Sequence, residues 1–302
     1  VAATMLLPVM CYLGWELYQQ RSWMQNQPEI VYSELQCPRG AQCLFELPDG
    51  SKGKLNSGSV LRYPSRFTGD HRVVELYGEA YFDVETVRDR PLIIKTAGLD
   101  VKVLGTKLNV YSYPEEEYQE VTLESGAAEL IKLSEDKECE IAIAEIKPGQ
   151  HVVYRFGNGH LASLPAHRDR DVIIIDSREE MKKVAPKLKP GQEAHFSSPR
   201  GDLHLSYGET ERYTGWTEGK LILRNDPMQI LLNRMERWYS VEFNLLDERI
   251  NEFTYWATFE EENLDQVLNL LSLTCPVEFT KRPRIKNDDG TYMPQVIDVS
   301  IR

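Results

Sequence analysis

The chain has 302 residues, enough for about two domains with buried cores. Its 35 Lys and Arg against 47 Asp and Glu give a net charge of −12, which argues against a nucleic-acid partner held by charge. Apolar residues at 41% and charged residues at 27% place it among folded globular chains, and five Cys are too few for a disulfide-built scaffold.

Residues 1–15, VAATMLLPVMCYLGW, carry no charged side chain, and Glu16 is the first before Gln20. Twenty helical residues reach about 30 Å, the thickness of a bilayer core, so residues 1–20 are expected to form a transmembrane helix. Tyr12, Trp15, Tyr18 and Trp23 fall where a membrane boundary would lie, and Pro8 is tolerable in a spanning helix. There is no basic start and no small-x-small site for a cleavable signal. Val1 opens inside the apolar run, which implies an upstream piece on the other side of the membrane. A buried core helix is the alternative. The following flank has one Arg against two acids, so residues after about 20 are expected outside the cytoplasmic membrane, in the periplasm.

Cys37 and Cys43 bracket CPRGAQC, where Pro38 and Gly40 favour a turn. They are either a small disulfide loop or two unrelated thiols. Cys11 lies in the apolar run, while Cys139 and Cys275 read as small buried residues.

From Cys43 to about Leu205 the pattern has period two, broken by Gly, Pro and Asp. LFELPDGSKGKLN predicts two strands joined at Pro48, Asp49 and Gly50. In RVVELYGEAYFDVE, Val74, Leu76, Ala80, Phe82 and Val84 share one face, and Gly78 on that face leaves room for a close approach. Parity flips at Gly105–Thr106 and again at Ser125–Gly126, which requires a corner, bulge or turn. A mainly β region over 30–210 follows, as a bent sheet, a sandwich or a solenoid. KPGQ recurs at 147 and 189, each time delivering a short strand, and DVIII at 171–175 predicts another.

Near Trp216 the composition changes. KLILRNDPMQILLNRMERWYSVEFN reads as strand, helix, strand, with Asn225 or Asp226 as the helix cap and Pro227 in its first position. Residues 228–243 align without gaps on 264–279, with identities at Leu232/Leu268, Asn233/Asn269, Val241/Val277, Glu242/Glu278 and Phe243/Phe279. Two βαβ half-units are therefore expected over 216–302, forming one small sheet under two helices, with a final strand at 295–301. Trp238, Tyr239, Tyr255 and Trp256 are candidates for partner binding beside an open strand edge. Core packing is the competing role for each.

RVVELYGEAYFDV (72–84), RPLIIKT (90–96), VKVLGTKLNVYSY (101–113), VTLESG (121–126) and KPGQ (147–150) resemble the FecR family, the periplasmic sensor regions of transmembrane anti-sigma factors. WTEGKLILRNDPMQILLNRMERWYSVEF resembles the C-terminal domain that accompanies FecR in Bacteroidetes-type members, itself similar to the signalling module of TonB-dependent transporters. Leu92 and Leu108 stand where the family usually has Phe, and the resemblance says nothing about 156–210. It implies three partners: the signalling domain of a TonB-dependent transporter, an extracytoplasmic-function sigma factor held by a cytoplasmic domain outside this sequence, and a periplasmic or intramembrane protease.

No enzyme motif competes with this reading. The six His show no HExxH, and GxSxG, GxGxxG and the phosphate-binding loop are missing, so no catalytic, metal or cofactor residue is expected. Glu75 and Glu79 are roughly 13 Å apart along a strand, too far for a glycosidase pair. An envelope glycan-binding protein using the exposed aromatics is the alternative, and an envelope hydrolase is a more distant one.

Overall fold

A computed structural model describes residues 12, 14–16, 18, 30–116, 118–133, 140–155, 171–175, 192–198, 201–288 and 290–302. The expected membrane helix at 1–20 lies mostly outside these. Tyr12, Gly14, Trp15, Glu16 and Tyr18 are helical, but no helix among the described residues is long and apolar enough to cross a membrane. Trp23, Cys11 and Cys139 also lie outside the described residues.

Fifteen strands come first: β1 (Tyr32–Gln36), β2 (Cys43–Glu46), β3 (Lys52–Leu55), β4 (Val60–Pro64), β5 (Arg72–Asp83), β6 (Leu92–Lys95), β7 (Asp100–Val103) and β8 (Lys107–Ser112), then β9 (Tyr118–Ser125), β10 (Ala128–Leu133), β11 (Glu140–Ile146), β12 (Gln150–Arg155), β13 (Asp171–Ile175), β14 (Gln192–Ser198) and β15 (Gly201–Tyr207). They form one 15-stranded sheet with the path β11-β10-β7-β6-β5-β8-β9-β12-β15-β14-β13. Of the three candidate architectures, this is the bent sheet.

The bend is made by β5. Its first half pairs with β4 and β6, and from Gly78 onward it pairs with β8. Gly78 has φ +111°, and a Cβ there would meet Ser59 Oγ at 2.3 Å, so the corner needs glycine. Both predicted parity flips are the same device, because the chain leaves β7 for β8 and β9 for β10 at the corner. Side chains from both leaves consequently meet in one core, with Leu76, Leu92, Ile94 and Leu130 from one leaf and Phe82, Leu108, Leu123 and Leu205 from the other. The buried Arg72 guanidinium binds the Asp49 carboxylate and donates to the carbonyls of Glu85 (3.0 Å), Arg90 (2.9 Å) and Leu104 (3.4 Å), tying three loops together. The KPGQ recurrence coincides with strand starts: β12 and β14 begin at Gln150 and Gln192 and flank β15 on either side, each antiparallel to it.

Beyond Tyr207 come a one-turn helix α1 (Glu211–Thr214), a 3-10 turn (Gly215–Glu218), β16 (Leu221–Pro227), α2 (Met228–Tyr239), β17 (Val241–Leu245), β18 (Thr254–Phe259), α3 (Leu264–Thr274), β19 (Val277–Lys281) and β20 (Gln295–Ile301). The helical spacing of Met228, Leu231, Leu232 and Met235 is the buried face of α2. These residues join Val267, Leu268, Leu271, Val277, Ile297 and Val299 in a second core.

Two expectations are corrected. The expected single sheet is two: β16 pairs with β18, and β20 lies between β17 and β19. The matching strands of the half-units associate with each other or with β20, so no half-unit keeps both strands in one sheet. Neither Asn225 nor Asp226 caps α2, since Pro227 occupies the cap position with no side-chain bond. Asn225 takes φ +61° at a bulge in β16, which turns the Asp226 carboxylate onto the Arg224 amide (2.9 Å) and the Arg212 guanidinium instead.

Candidate functional site

Strands β5, β8, β9 and β12 put their apolar residues into the first core, and so present the alternate positions on the opposite face. These are Glu79, Asn109, Tyr111, Glu120, Thr122 and His151, paired across neighbouring strands as Glu79–Tyr111, Asn109–Thr122, Tyr111–Glu120 and Thr122–His151. A sheet face this polar is normally wet, yet all six are buried. The cover is Arg212 and Tyr213 of α1, Trp216 of the 3-10 turn, and Arg234 and Arg237 of α2, which with the strands line a small cavity of about 40 Å³.

Two hydrogen-bonded chains cross this seam. Trp216 Nε1 donates to Asn109 Oδ1 (3.0 Å), Asn109 Nδ2 donates to Glu79 Oε1 (2.8 Å), and Asn56 Nδ2 donates to Glu79 Oε2 (2.7 Å). Beside it, Arg237 Nη1 lies 2.7 Å from Glu116 Oε1, which also accepts from the Tyr111 hydroxyl (2.6 Å). The Arg237 guanidinium donates to that hydroxyl as well and sits 4.1 Å from the Tyr113 ring centroid. His151 stacks on Tyr213 with centroids 3.5 Å apart, shares a 2.7 Å hydrogen bond with Thr122 through Nδ1, and holds Nε2 3.9 Å from Glu120.

Electrostatically, an acidic sheet face meets a basic helix face. Burial raises the Glu120 carboxyl to about 7, although Arg234 and Arg212 oppose the shift. Burial also raises Glu79, against the hydrogen bonds from Asn109 and Asn56 and the charges of Arg234 and Arg237. For Arg234 and Arg237 burial works against the charge. The acids and phenols around them prevail, and both are held more firmly protonated than usual.

A loop adds a third tie. The Gly40 amide, at the tip of the 37–43 turn, donates to the Arg237 carbonyl (3.0 Å) near the end of α2, and Ser57 Oγ donates to the same oxygen (2.6 Å). That carbonyl is one of the last four of α2, which lack a partner inside the helix. Gln42 Nε2 donates to the Trp216 carbonyl (2.8 Å), and Lys54 Nζ binds the Thr217 carbonyl. Gly40 has φ +78°, a conformation that favours glycine. Cys37 and Cys43 at the foot of this loop are free thiols, so the possible disulfide is not formed in this structure.

The four candidate aromatics separate. Tyr255 is 9% exposed, stacks on Phe259 and shares a hydrogen bond with Thr274, so it belongs to the core. Tyr239 is half-buried and donates to the Glu262 carbonyl (2.8 Å), and Trp238 packs partly buried against the second core. Trp256 alone of the four is a surface group, 66% exposed, with the Arg224 guanidinium 5.2 Å from its ring centroid. They form no shared aromatic platform. Of the residues that build the seam, Gly40, Glu79 and Trp216 carry a reading from the sequence, as a turn former, one of a rejected carboxylate pair and a composition boundary, and none for this role. The signal that could have found it is a strand face carrying Glu, Asn, Tyr and Glu opposite an Arg-bearing helix.

Among the described residues no cluster of three His, Cys, Asp or Glu could hold a metal ion. Family profiles match two regions: "FecR protein" over residues 33–129 and "FecR, C-terminal" over 220–289. Two crystal structures of a candidate anti-sigma factor from Parabacteroides distasonis share the fold. One is 22% identical with a TM-score of 0.65, the other 23% with 0.64, and each match covers 89% of this chain and 99% of that one. No curated protein matches.

Proposed function

We propose that this chain, which belongs to the FecR family, is the sensing part of a membrane-anchored anti-sigma factor. It relays the state of a TonB-dependent outer-membrane transporter to an extracytoplasmic-function sigma factor. The C-terminal module receives the transporter's signalling domain, and the β region carries the response toward the membrane, where rearrangement or proteolysis releases the sigma factor. Residues 1–20 provide the anchor and the rest lies in the periplasm.

The observation that supports this reading is the seam. A contact made with α2 or its neighbours acts on Arg234 and Arg237, which face Glu120 of β9, Tyr111 of β8 and Glu116 of the loop between those strands. An inert tether has no need for buried charges on both sides, whereas a relay needs a junction with two arrangements whose balance a partner can shift. The test is co-purification of the full chain with the signalling domain of a cognate transporter, paired with a sigma-dependent reporter in cells. Binding together with an altered reporter response in an Arg237→Ala variant supports the relay. Failure to bind any cognate signalling domain, with clear oligosaccharide binding, overturns it.

A further inference from the structure

Beyond the relay itself, we infer that Cys37 and Cys43 form a dithiol–disulfide exchange site whose closure fastens the loop that holds the C-terminal module to the sheet. Three observations carry this. The thiols share one environment: Cys37 lies in the first core with Cys43 packed against it, and Cys37 Sγ donates to the Ala41 carbonyl (3.4 Å) inside the loop, two positions from Cys43. They differ in access, since Cys37 is 3% exposed while Cys43, the first residue of β2, is partly exposed. The residues between them make the contacts that matter, through the Gly40 amide to Arg237 and the Gln42 side chain to Trp216.

The backbone at each end of the loop is held. The Cys37 amide donates to the Ser59 carbonyl (2.8 Å), and Cys43 pairs with Leu55 across β2 and β3. A bond between the two sulfurs would join these ends directly and restrict the five residues between them, which lowers the freedom of the Gly40 tip to leave the helix end. Burial and the neighbouring Cys43 push the Cys37 thiol up to about 12, which leaves little thiolate there to start an exchange. Cys43 is therefore the entry point.

The oxidant is a disulfide, either of an oxidoreductase or of a small thiol such as glutathione. The Cys43 thiolate attacks one sulfur of that disulfide, forming a mixed disulfide and expelling the first thiolate. Cys37 loses its proton and attacks Cys43 Sγ, forming the internal bond and expelling the second thiolate. Two protein thiols are oxidised, the incoming disulfide is reduced to two thiols, and the two protons leave with them.

The experiment uses the full chain in reduced and oxidised glutathione, read by intact mass, by peptide mapping and by hydrogen exchange at the Gly40 amide. The expected result is a 37–43 link with exchange at Gly40 slowed at least about tenfold. A Cys37→Ser variant should trap glutathione on Cys43, and a Cys43→Ser variant should leave Cys37 unmodified. Two intact thiols after oxidation, a link to Cys275 instead, or a 37–43 link with unchanged Gly40 exchange would each overturn the inference. Mapping of the unsubstituted chain decides the matter even where a variant does not fold. Loss of transporter binding is a separate readout and bears on the relay alone.

Discussion

Arg237 and Glu116 meet across the seam at 2.7 Å, with their side chains only 11% and 7% exposed. The second Glu116 oxygen, Oε2, has no hydrogen-bond partner among the described residues, so the charge there depends on Arg237 and on Tyr111. Removing one member of a buried pair strands the other, which is worse than removing both.

Arg237→Ala is accordingly expected to destabilise the chain by about 3–5 kcal/mol. Arg237→Ala combined with Glu116→Gln should cost less than the two single changes added together. Urea denaturation of the four proteins measures the coupling, and strictly additive losses would show that the pair is not a unit.

Trp216→Phe keeps an aromatic ring but removes the donor to Asn109 and part of the buried indole, for an expected loss of about 2–4 kcal/mol. Trp256→Phe, on the surface, should stay within about 0.5 kcal/mol of the parent. Calorimetry on both variants separates the roles, and equal effects would mean the Trp216 bond contributes nothing.

The pH dependence follows from Glu120, faced by His151, Arg212, Arg234, Glu79 and Glu116. Its folded value of about 7 lies above the ordinary 4.5, so the folded state binds the extra proton between those limits. Stability should therefore fall as pH rises from about 4.5 to 7, by at most roughly 3 kcal/mol. Glu120→Gln should flatten that part of the profile. A parent chain that gains stability over the same interval would contradict the assignment.

Gly78→Ala collides with Ser59 and forces alanine to φ +111°. An expected cost of about 2–4 kcal/mol combines overpacking with backbone strain. Pairing it with Ser59→Gly should recover part of the loss, because only the collision is relieved; full recovery in thermal unfolding would rule out the strain component.

What could be read ahead of the structure was what depends on local alternation. The buried faces of β5 and α2, the corners at Gly105 and Gly126, and the strand at Gln295–Ile301 all follow from periods of 2 and 3.6 or from a break in them. What escaped depends on contacts between residues far apart in the chain. Glu79 sits on a polar strand face that reads as wetted, and the residues that cover it, Arg212, Tyr213, Trp216, Arg234 and Arg237, all come more than 130 positions later. Asp226 has the composition of a cap, but Arg212 and the Arg224 amide claim its carboxylate. Tyr255 and Trp256 are adjacent and alternate across β18, so one is core and the other surface, which an open-face reading of both could not accommodate.

The placement of β20 has a consequence for the duplicated module. Each copy of the motif ends in a strand, β17 or β19, whose hydrogen bonds go to a third strand that neither copy contains. Doubling the motif was thus insufficient to make a closed body; it needed a wedge supplied from outside the repeat. A single break in the exposed stretch between Lys281 and Gln295 would leave that wedge held by noncovalent contacts alone, and its departure would part the twins.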